Sequence, residues 1–591
     1  MTPEPNVTND CDGTSTCRAI YRLPNEILVE LFRAVQESIT SSKSACGVES
    51  RQWYRLLRVC KRWSVVARSS AVLWRVIQLT GTPDIRLLKY SLTYSGDMPV
   101  DISCTYFDAP FTALTPLIAP HAHRIRSLKL DELNIIGDQA LVSLLYHDMP
   151  QLEELLLSFS LDGYDGEDEE LDPLDPDQDE DEDGNPVRFP FFWFPKDTQF
   201  PRIVHLHIGR SVAFPLRFPV LPSLRQLELL RCTVLGDVSS VDFVGYLAQH
   251  PVLEELSMSG LKLSLVDGAV LRLPVTLRKF TLEDFPLRVS AFLSKLAPLP
   301  VDLDVCLNRR LRYLEGTDPE TPSTAMYSLP EDKSVLPILT LVVTITVRQR
   351  SWDSYCIIGR TPAGATVEIA ADLPEDLLEP LDFLGDLRNA FGNAPVTELR
   401  IEGHEDNKLT EAQWKRTLLA FPQLRKIAVT DTSTEKGSDA SISLMKALRS
   451  LSTISDDKPI CSHLKELELA AMGATRDEQL VKEISETLTF RRSLGTPLES
   501  LLVYLKTTWR TKTASAKYFE KREALYTSVI HPLIDVLLLE RAPRQAVVVV
   551  EETCEQSDSS GSDGTDNSGS NSEDSEPEST DSDSESDEES S

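Results

Sequence analysis

Residues able to do chemistry are few and scattered in this sequence. His205 and His207 stand two apart in the run RIVHLHI, so on an extended strand they share one face while Leu206 and Ile208 point the other way. Two imidazoles fall short of a zinc site, which takes three or four ligands, and His121 and His123 share that shortfall. The chain contains no GxxxxGK[ST], GxSxG, HExxH or paired CxxC, so the spacings that build a phosphate loop, a nucleophile elbow or a zinc protease are missing. Its dense carboxylate runs are solvated faces, whereas a catalytic carboxylate needs desolvation to tune its pKa. The expectation is a non-enzymatic chain with no metal and no cofactor.

The elements that would position such residues belong to a large folded body. A chain of 591 residues with 41% hydrophobic content exceeds one compact domain and has ample material for a core. Its formal net charge of −32 is concentrated in two stretches, 162–183 and 551–591, which carry no Lys or Arg. Outside them acids and bases nearly balance. Self-repelling blocks without apolar residues are expected to be disordered, which assigns 162–198 as an acidic insert and 546–591 as an acidic, Ser-rich tail. Without a basic cluster the chain is a poor nucleic-acid binder, since each phosphate contact needs a Lys or Arg. The ten scattered cysteines suit reduced thiols, the opening MTPEPNVTND lacks the n- and h-regions of a signal peptide, and no run of 18 apolar residues suggests a membrane span. Asn6 lies in an Asn-Val-Thr sequon that such a protein would not use. The expected location is cytoplasm or nucleus.

From Leu23 the chain reads LPNEILVELFRAV, with Ile27, Leu28, Leu31, Phe32 and Val35 at helical spacing and Pro24 tolerated at the start. After a polar interval expected as a loop, WYRLLRVCKRWSVVA places Trp53, Leu56, Cys60, Trp63 and Ala67 along a second helical face. By themselves these stripes make a small helical bundle. In combination, LPNEILVELF and LLRVCKRWSVVARSSAVLW resemble the two halves of the F-box, with an interval between them about ten residues longer than in a short F-box. The following TYSGDMPVDIS, Thr93 to Ser103, resembles the segment after the F-box in expanded fungal F-box families. The resemblance implies an F-box over 20–78, between a disordered N-terminus (1–19) and a linker (79–122). It implies docking to the Skp adaptor, and through it to cullin and RING subunits. Leu23, Pro24, Ile27, Leu28 and Leu31 would form the first contact patch, with Val59, Cys60, Trp63 and Trp74 extending or supporting it.

Beyond residue 120 one pattern recurs ten times: apolar, two residues, Leu or similar, one residue, apolar. Copies are RIRSLKL, QLEELLL, RIVHLHI, SLRQLEL, VLEELSM and TLRKFTL, then PVTELRI, QLRKIAV, HLKELEL and PLESLLV. Each alternates like a half-buried strand, and helical stretches such as DFVGYLAQH and EAQWKRTLLAF separate them. This strand, loop, helix unit resembles a leucine-rich repeat, and the expected fold class is α/β: an α-helical F-box followed by an irregular repeat solenoid over 123–545. A more irregular α/β domain is the alternative. Between Leu282 and Val396, PILTLVVTITV reads as strand and EDLLEPLDFLGDLRNAFG as helix, so degenerate repeats are expected there. KYFEKREALYTSVIHPLIDVLLLERA, with apolar residues at helical spacing, would close the last repeat.

The function these readings support is a substrate-recognition adaptor of an SCF-type cullin–RING ubiquitin ligase. Its unknown protein substrate would meet the strand face at His205, His207, Arg225, Gln226 and Glu228, while Leu224, Leu227 and Leu229 enter the core. The alternative is a structural or chaperone-like repeat scaffold that holds basic clients through its acidic segments. In the tail, EDSEPESTDSDSESDEESS resembles the substrates of acid-directed kinases of the casein-kinase type, with Ser582, Ser584 and Ser586 as acceptors.

Overall fold

A computed structural model describes residues 23–41, 49–80, 85–105, 111–133, 139–159, 191–192, 196, 199–209, 212–214, 219–234, 239–260, 263–307, 325–349, 354–372, 383–403, 409–431, 440–450, 459–471, 474–505 and 512–541. The N-terminal helix α1 spans Asn25–Ser41. The second stripe divides into two elements: a 3-10 helix, Glu49–Arg58, and the helix α2, Lys61–Ser69. The break has a local cause, because Cys60 is extended and its Sγ accepts the Trp63 backbone N–H, closing the start of α2.

A sheet of 17 strands among the described residues follows. Its first nine strands are β1 (Val76–Thr80), β2 (Val100–Thr105), β3 (Ile125–Leu133), β4 (Glu154–Phe159), β5 (His205–Ile208), β6 (Gln226–Leu230), β7 (Glu255–Ser259), β8 (Lys279–Glu283) and β9 (Asp304–Leu307). Each pairs in parallel with the next. Parallel neighbours need a crossover between them, and helices such as α3 (Ile85–Tyr94), α4 (Gln139–Leu145), α5 (Ser240–Leu247) and α6 (Pro286–Leu293) supply it. Leu128, Leu155, Leu206, Leu227, Leu256, Phe280 and Val305 stand in register across β3 to β9, all buried. The alternation of the motif thus becomes an apolar ladder under the helices and a polar row on the other face.

Residues 79–122, expected as a linker, carry β2, α3 and the turns before β3, and β1 begins at Val76, inside the stretch assigned to the F-box. The reason is tertiary: Ile77, Leu79, Ile102 and Cys104 continue the apolar ladder, and Arg124, buried, ties the turn after α3 down by donating to Leu92 O, Ser95 Oγ and Met98 O at 2.8, 3.0 and 2.7 Å.

The long interval after Leu282 holds an arrangement that continued repeats do not describe. β10 (Thr344–Gln349), β11 (Ser354–Arg360) and β12 (Thr366–Asp372) form an antiparallel meander. It enters the sheet in reverse, since β9 pairs with β12 and β10 pairs with the next strand, both in parallel. Gly359 in β11 permits this packing: a Cβ there would lie 2.9 Å from the side chains of Val342 and Val367. Parallel order then resumes through β13 (Glu398–Gly403), β14 (Lys426–Asp431), β15 (Glu466–Ala471), β16 (Ser500–Leu505) and β17 (Val536–Arg541). Successive helices α7 (Phe383–Phe391), α8 (Glu411–Ala420), α9 (Ala440–Leu448), α10 (Ala474–Ser493) and α11 (Lys512–Ile530) pack on one another beside it. Asp477 of α10 and Arg522 of α11 form a buried two-point ion pair at 2.5 and 2.8 Å, and the Tyr526 hydroxyl donates to the same carboxylate at 2.9 Å. The final stretch, whose apolar residues fall at helical spacing, is helix only to Ile530. Pro532 follows in a 3-10 turn, and VLLLER is the strand β17.

All ten recurring motifs lie on strands of this sheet. Phe191–Phe192, at the end of the expected acidic insert, instead pairs with Val212–Phe214 in a separate three-stranded sheet completed by Thr233–Val234. Among the described residues no helix is long and apolar enough to cross a membrane.

Candidate functional site

The helical N-terminus closes its own small core. Leu28, Phe32, Trp53, Trp63, Val66, Ala67, Leu73 and Trp74 are buried together. The aromatic members pack at angles that suit ring quadrupoles, with Phe32 and Trp63 centroids 5.1 Å apart and Trp53 and Trp74 5.3 Å apart. Trp74 Nε1 donates to Ala67 O at 2.7 Å, so its polar end is satisfied inside. Arg62 of α2 donates to Asn25 Oδ1 at 2.9 Å and to Leu23 O, fixing the start of α1 against the start of α2.

This core sorts the residues that the F-box resemblance singled out. Leu28, Trp63 and Trp74 are inside, and Leu28 is fully enclosed rather than on a contact surface. Leu23 and Cys60 are half-buried. Pro24 is exposed, and so are Ile27 (50%), Leu31 (43%) and Val59 (58%). Pro24 just before α1, and Ile27 and Leu31 on it, follow one helical line, while Leu28, Phe32 and half-buried Val35 follow another toward the core. The apolar surface of the helix is wider than its own domain covers. Val65, 66% exposed, adds an outward apolar side chain on α2 that is not legible in the sequence, because a lone Val on an amphipathic helix gives no signal of its own.

The second candidate surface is the polar face of the sheet. His205 and His207 point out of β5 together, with Leu206 and Ile208 buried beneath. Glu228 of β6 reaches both, with Oε2 2.8 Å from His207 Nδ1 and Oε1 3.5 Å from His205 Nε2. Gln226 Nε2 donates to Glu228 at 2.6 Å. Arg225 does not join them; exposed before β6, it pairs with Glu254 at 2.9 Å. Three partners unremarked in the sequence complete the cluster. Glu154 of β4 lies 3.3 Å from His205 Nδ1 and pairs with Lys129 of β3 at 2.8 Å, and it accepts from Ser127 at 2.7 Å. Glu154 occupies the same motif position as His205, so parallel register alone sets them side by side.

The electrostatics follow from this row. His205 has a raised pKa, first through its contact with Glu228 and further by the charges of Glu228 and Glu154, against the opposing effect of burial. Glu228 is held far below the usual carboxylate range by its contact with His205 and its hydrogen bond with His207. Glu154 is lowered as well: burial raises it, but Lys129, Ser127 and His205 together outweigh that. Charge alternates along the row from Lys129 through Glu154 and His205 to Glu228. No group of three or more His, Cys, Asp or Glu side chains among the described residues is placed to hold a metal ion. His121 and His123 sit on a 3-10 turn before β3, away from any strand face. Ser582, Ser584 and Ser586 lie outside the described residues.

A closed aromatic core beneath an uncovered apolar stripe makes the N-terminal region a small helical domain of its own. Residues 20–80 match the F-box-like family, and this segment is an F-box-like domain, a non-catalytic adaptor module. The match spans a short part of the chain. A large α/β region of mixed sheet and helices follows it. No curated protein matches the sequence.

Proposed function

We propose that the chain is the substrate-recognition subunit of an SCF-type cullin–RING ubiquitin ligase, acting in the cytoplasm or nucleus. The observation that carries this reading is the coincidence of the F-box-like match with an outward apolar stripe that its own domain leaves open. In this reading Pro24, Ile27, Leu31 and Val59 meet the Skp adaptor directly. Leu23 and Cys60 sit at the margin, and Leu28, Trp63 and Trp74 hold the stripe in shape from inside. The adaptor brings cullin and RING subunits, which supply the chemistry.

The body belongs, on this proposal, to the leucine-rich-repeat type. Its support is the recurring motif, the in-register Leu ladder and the helices between parallel strands. His205, His207, Gln226 and Glu228, with Arg225 at the margin, would receive a protein substrate. Holding that substrate beside the ligase makes transfer effectively intramolecular, which raises its local concentration without any catalytic group here. The test is affinity purification of the full chain from cells. Recovery of Skp adaptor and cullin is the expected result, and recovery of basic clients without cullin would overturn it.

A further inference from the structure

The strand β17 ends the sheet with features the inner strands lack. Among the described residues it pairs only with β16, so the backbone N–H and C=O groups of its other edge have no ladder partner. Val536 and Leu538 project from its polar-row face 46% and 50% exposed, whereas the inner strands carry charged or small polar groups at most equivalent positions. On the other face Leu537 and Leu539 are half-buried at the end of the main core. Both faces of this strand are apolar and incompletely covered.

The surroundings give that surface a sign. Leu502 and Tyr504 of β16 stand in register with Leu538 and Glu540, extending the apolar patch inward. Tyr504 lies within the influence of both Glu468 and Glu540, whose charges, after burial, raise its pKa. Lys426 pairs with Glu468 and Glu466 of β15, Arg400 of β13 also acts on Glu468, and Glu540 at the outer edge is exposed with no ion pair among the described residues. The patch is apolar with an acidic border, and the complement of such a surface is apolar with basic residues.

We infer that β17 is a strand-addition site for an extended basic-apolar segment of a partner protein. The segment pairs its backbone with the free edge of β17, sets aliphatic side chains beside Val536 and Leu538, and places a Lys or Arg beside Glu540. Cross-strand neighbours on one face stand close enough for each of these contacts, and main-chain pairing supplies affinity while the alternate side chains supply selection. This site is separate from the F-box-like domain and from the histidine row, and it requires neither.

The test is fluorescence anisotropy of a labelled peptide, Lys-Thr-Val-Thr-Val-Lys, titrated with the full chain. Saturable binding is expected, weakened at least tenfold by Leu538→Lys and severalfold by Glu540→Lys, and reduced by salt because exposed charges are screened. The same peptide N-methylated at alternate amides should not bind. Both variants alter exposed side chains, and an unchanged melting temperature checks that they fold. No binding to the full chain overturns the proposal, as does equal affinity for Leu538→Lys. Sedimentation distinguishes the other occupant: a concentration-dependent dimer abolished by Leu538→Lys means that a second copy, rather than a basic segment, covers the edge.

Discussion

Replacing Ile27 and Leu31 together by alanine should separate docking from folding. The two side chains are 50% and 43% exposed, so about half of each is already covered within its own domain. Fully burying a large aliphatic side chain is worth roughly 1.5–3 kcal/mol, which leaves about 1 kcal/mol each for a partner to recover by covering the rest. The double change should therefore cost about 2 kcal/mol of adaptor binding, or roughly a 30-fold weaker Kd at 1.4 kcal/mol per tenfold. Folding should lose at most about 2 kcal/mol from the halves already covered, offset in part because alanine is the better helix former. Phe32→Ala is the contrasting variant: the ring is fully buried against Trp63, and such a deletion costs about 3–5 kcal/mol of stability. Calorimetric titration with purified Skp adaptor measures the first effect and circular-dichroism melting the second. A double variant that binds at full affinity would refute the assignment of this stripe as the docking surface, since nothing else on α1 presents comparable apolar area.

Further perturbations probe the body. Arg522→Met leaves the buried Asp477 carboxylate without its guanidinium and should lower stability by about 3–5 kcal/mol in urea unfolding; a loss below about 1 kcal/mol would mean that water reaches the site. Gly359→Ala forces a methyl group between Val342 and Val367 and should cost about 1–3 kcal/mol, seen as a lower melting temperature with the fold retained. For pH, the two signs differ. His205, raised from its ordinary value of 6.5, contributes stability that is present below 6.5 and is lost as pH rises through its folded pKa. Glu228, depressed from 4.5, contributes stability that is present above 4.5 and is lost as pH falls. Melting temperature across pH should therefore fall on both sides of a range near pH 5 to 6.5, and Glu228→Gln should flatten both limbs; an unchanged profile in that variant would show that the row is not coupled.

Burial of thiols gives one more expectation. Cys104, Cys232 and Cys461 are pushed up to about 12 by burial, so they stay protonated at neutral pH. Iodoacetamide should leave these three unlabelled in the native chain and modify them once urea unfolds it, as read by peptide mass mapping.

Local pattern was enough to find much of this architecture. The seven-residue motif placed ten strands, because a period of two under an apolar ladder is written into neighbouring residues, and it put Leu224, Leu227 and Leu229 inside and His205 and His207 on one side. The helix at Asn25–Ser41 and the F-box-like match were legible from helical spacing and a few aromatic landmarks. What depended on distant partners was not. Ile27 and Leu28 are equally apolar neighbours, and only the position of Trp63 and Trp53 decides that Leu28 is enclosed while Ile27 faces out. Glu154 meets His205 from 51 residues away through strand register. The meander of β10 to β12 could not be read because its order follows from which edge β9 offers, and that choice is made by Val305 and Leu307 pairing with Val367 and Ile369. Residues 79–122 read as a linker until the sheet supplied neighbours for Ile102 and Cys104. Sequence determines the period of burial along each segment, and tertiary contact decides which apolar side chains are covered and which remain for a partner.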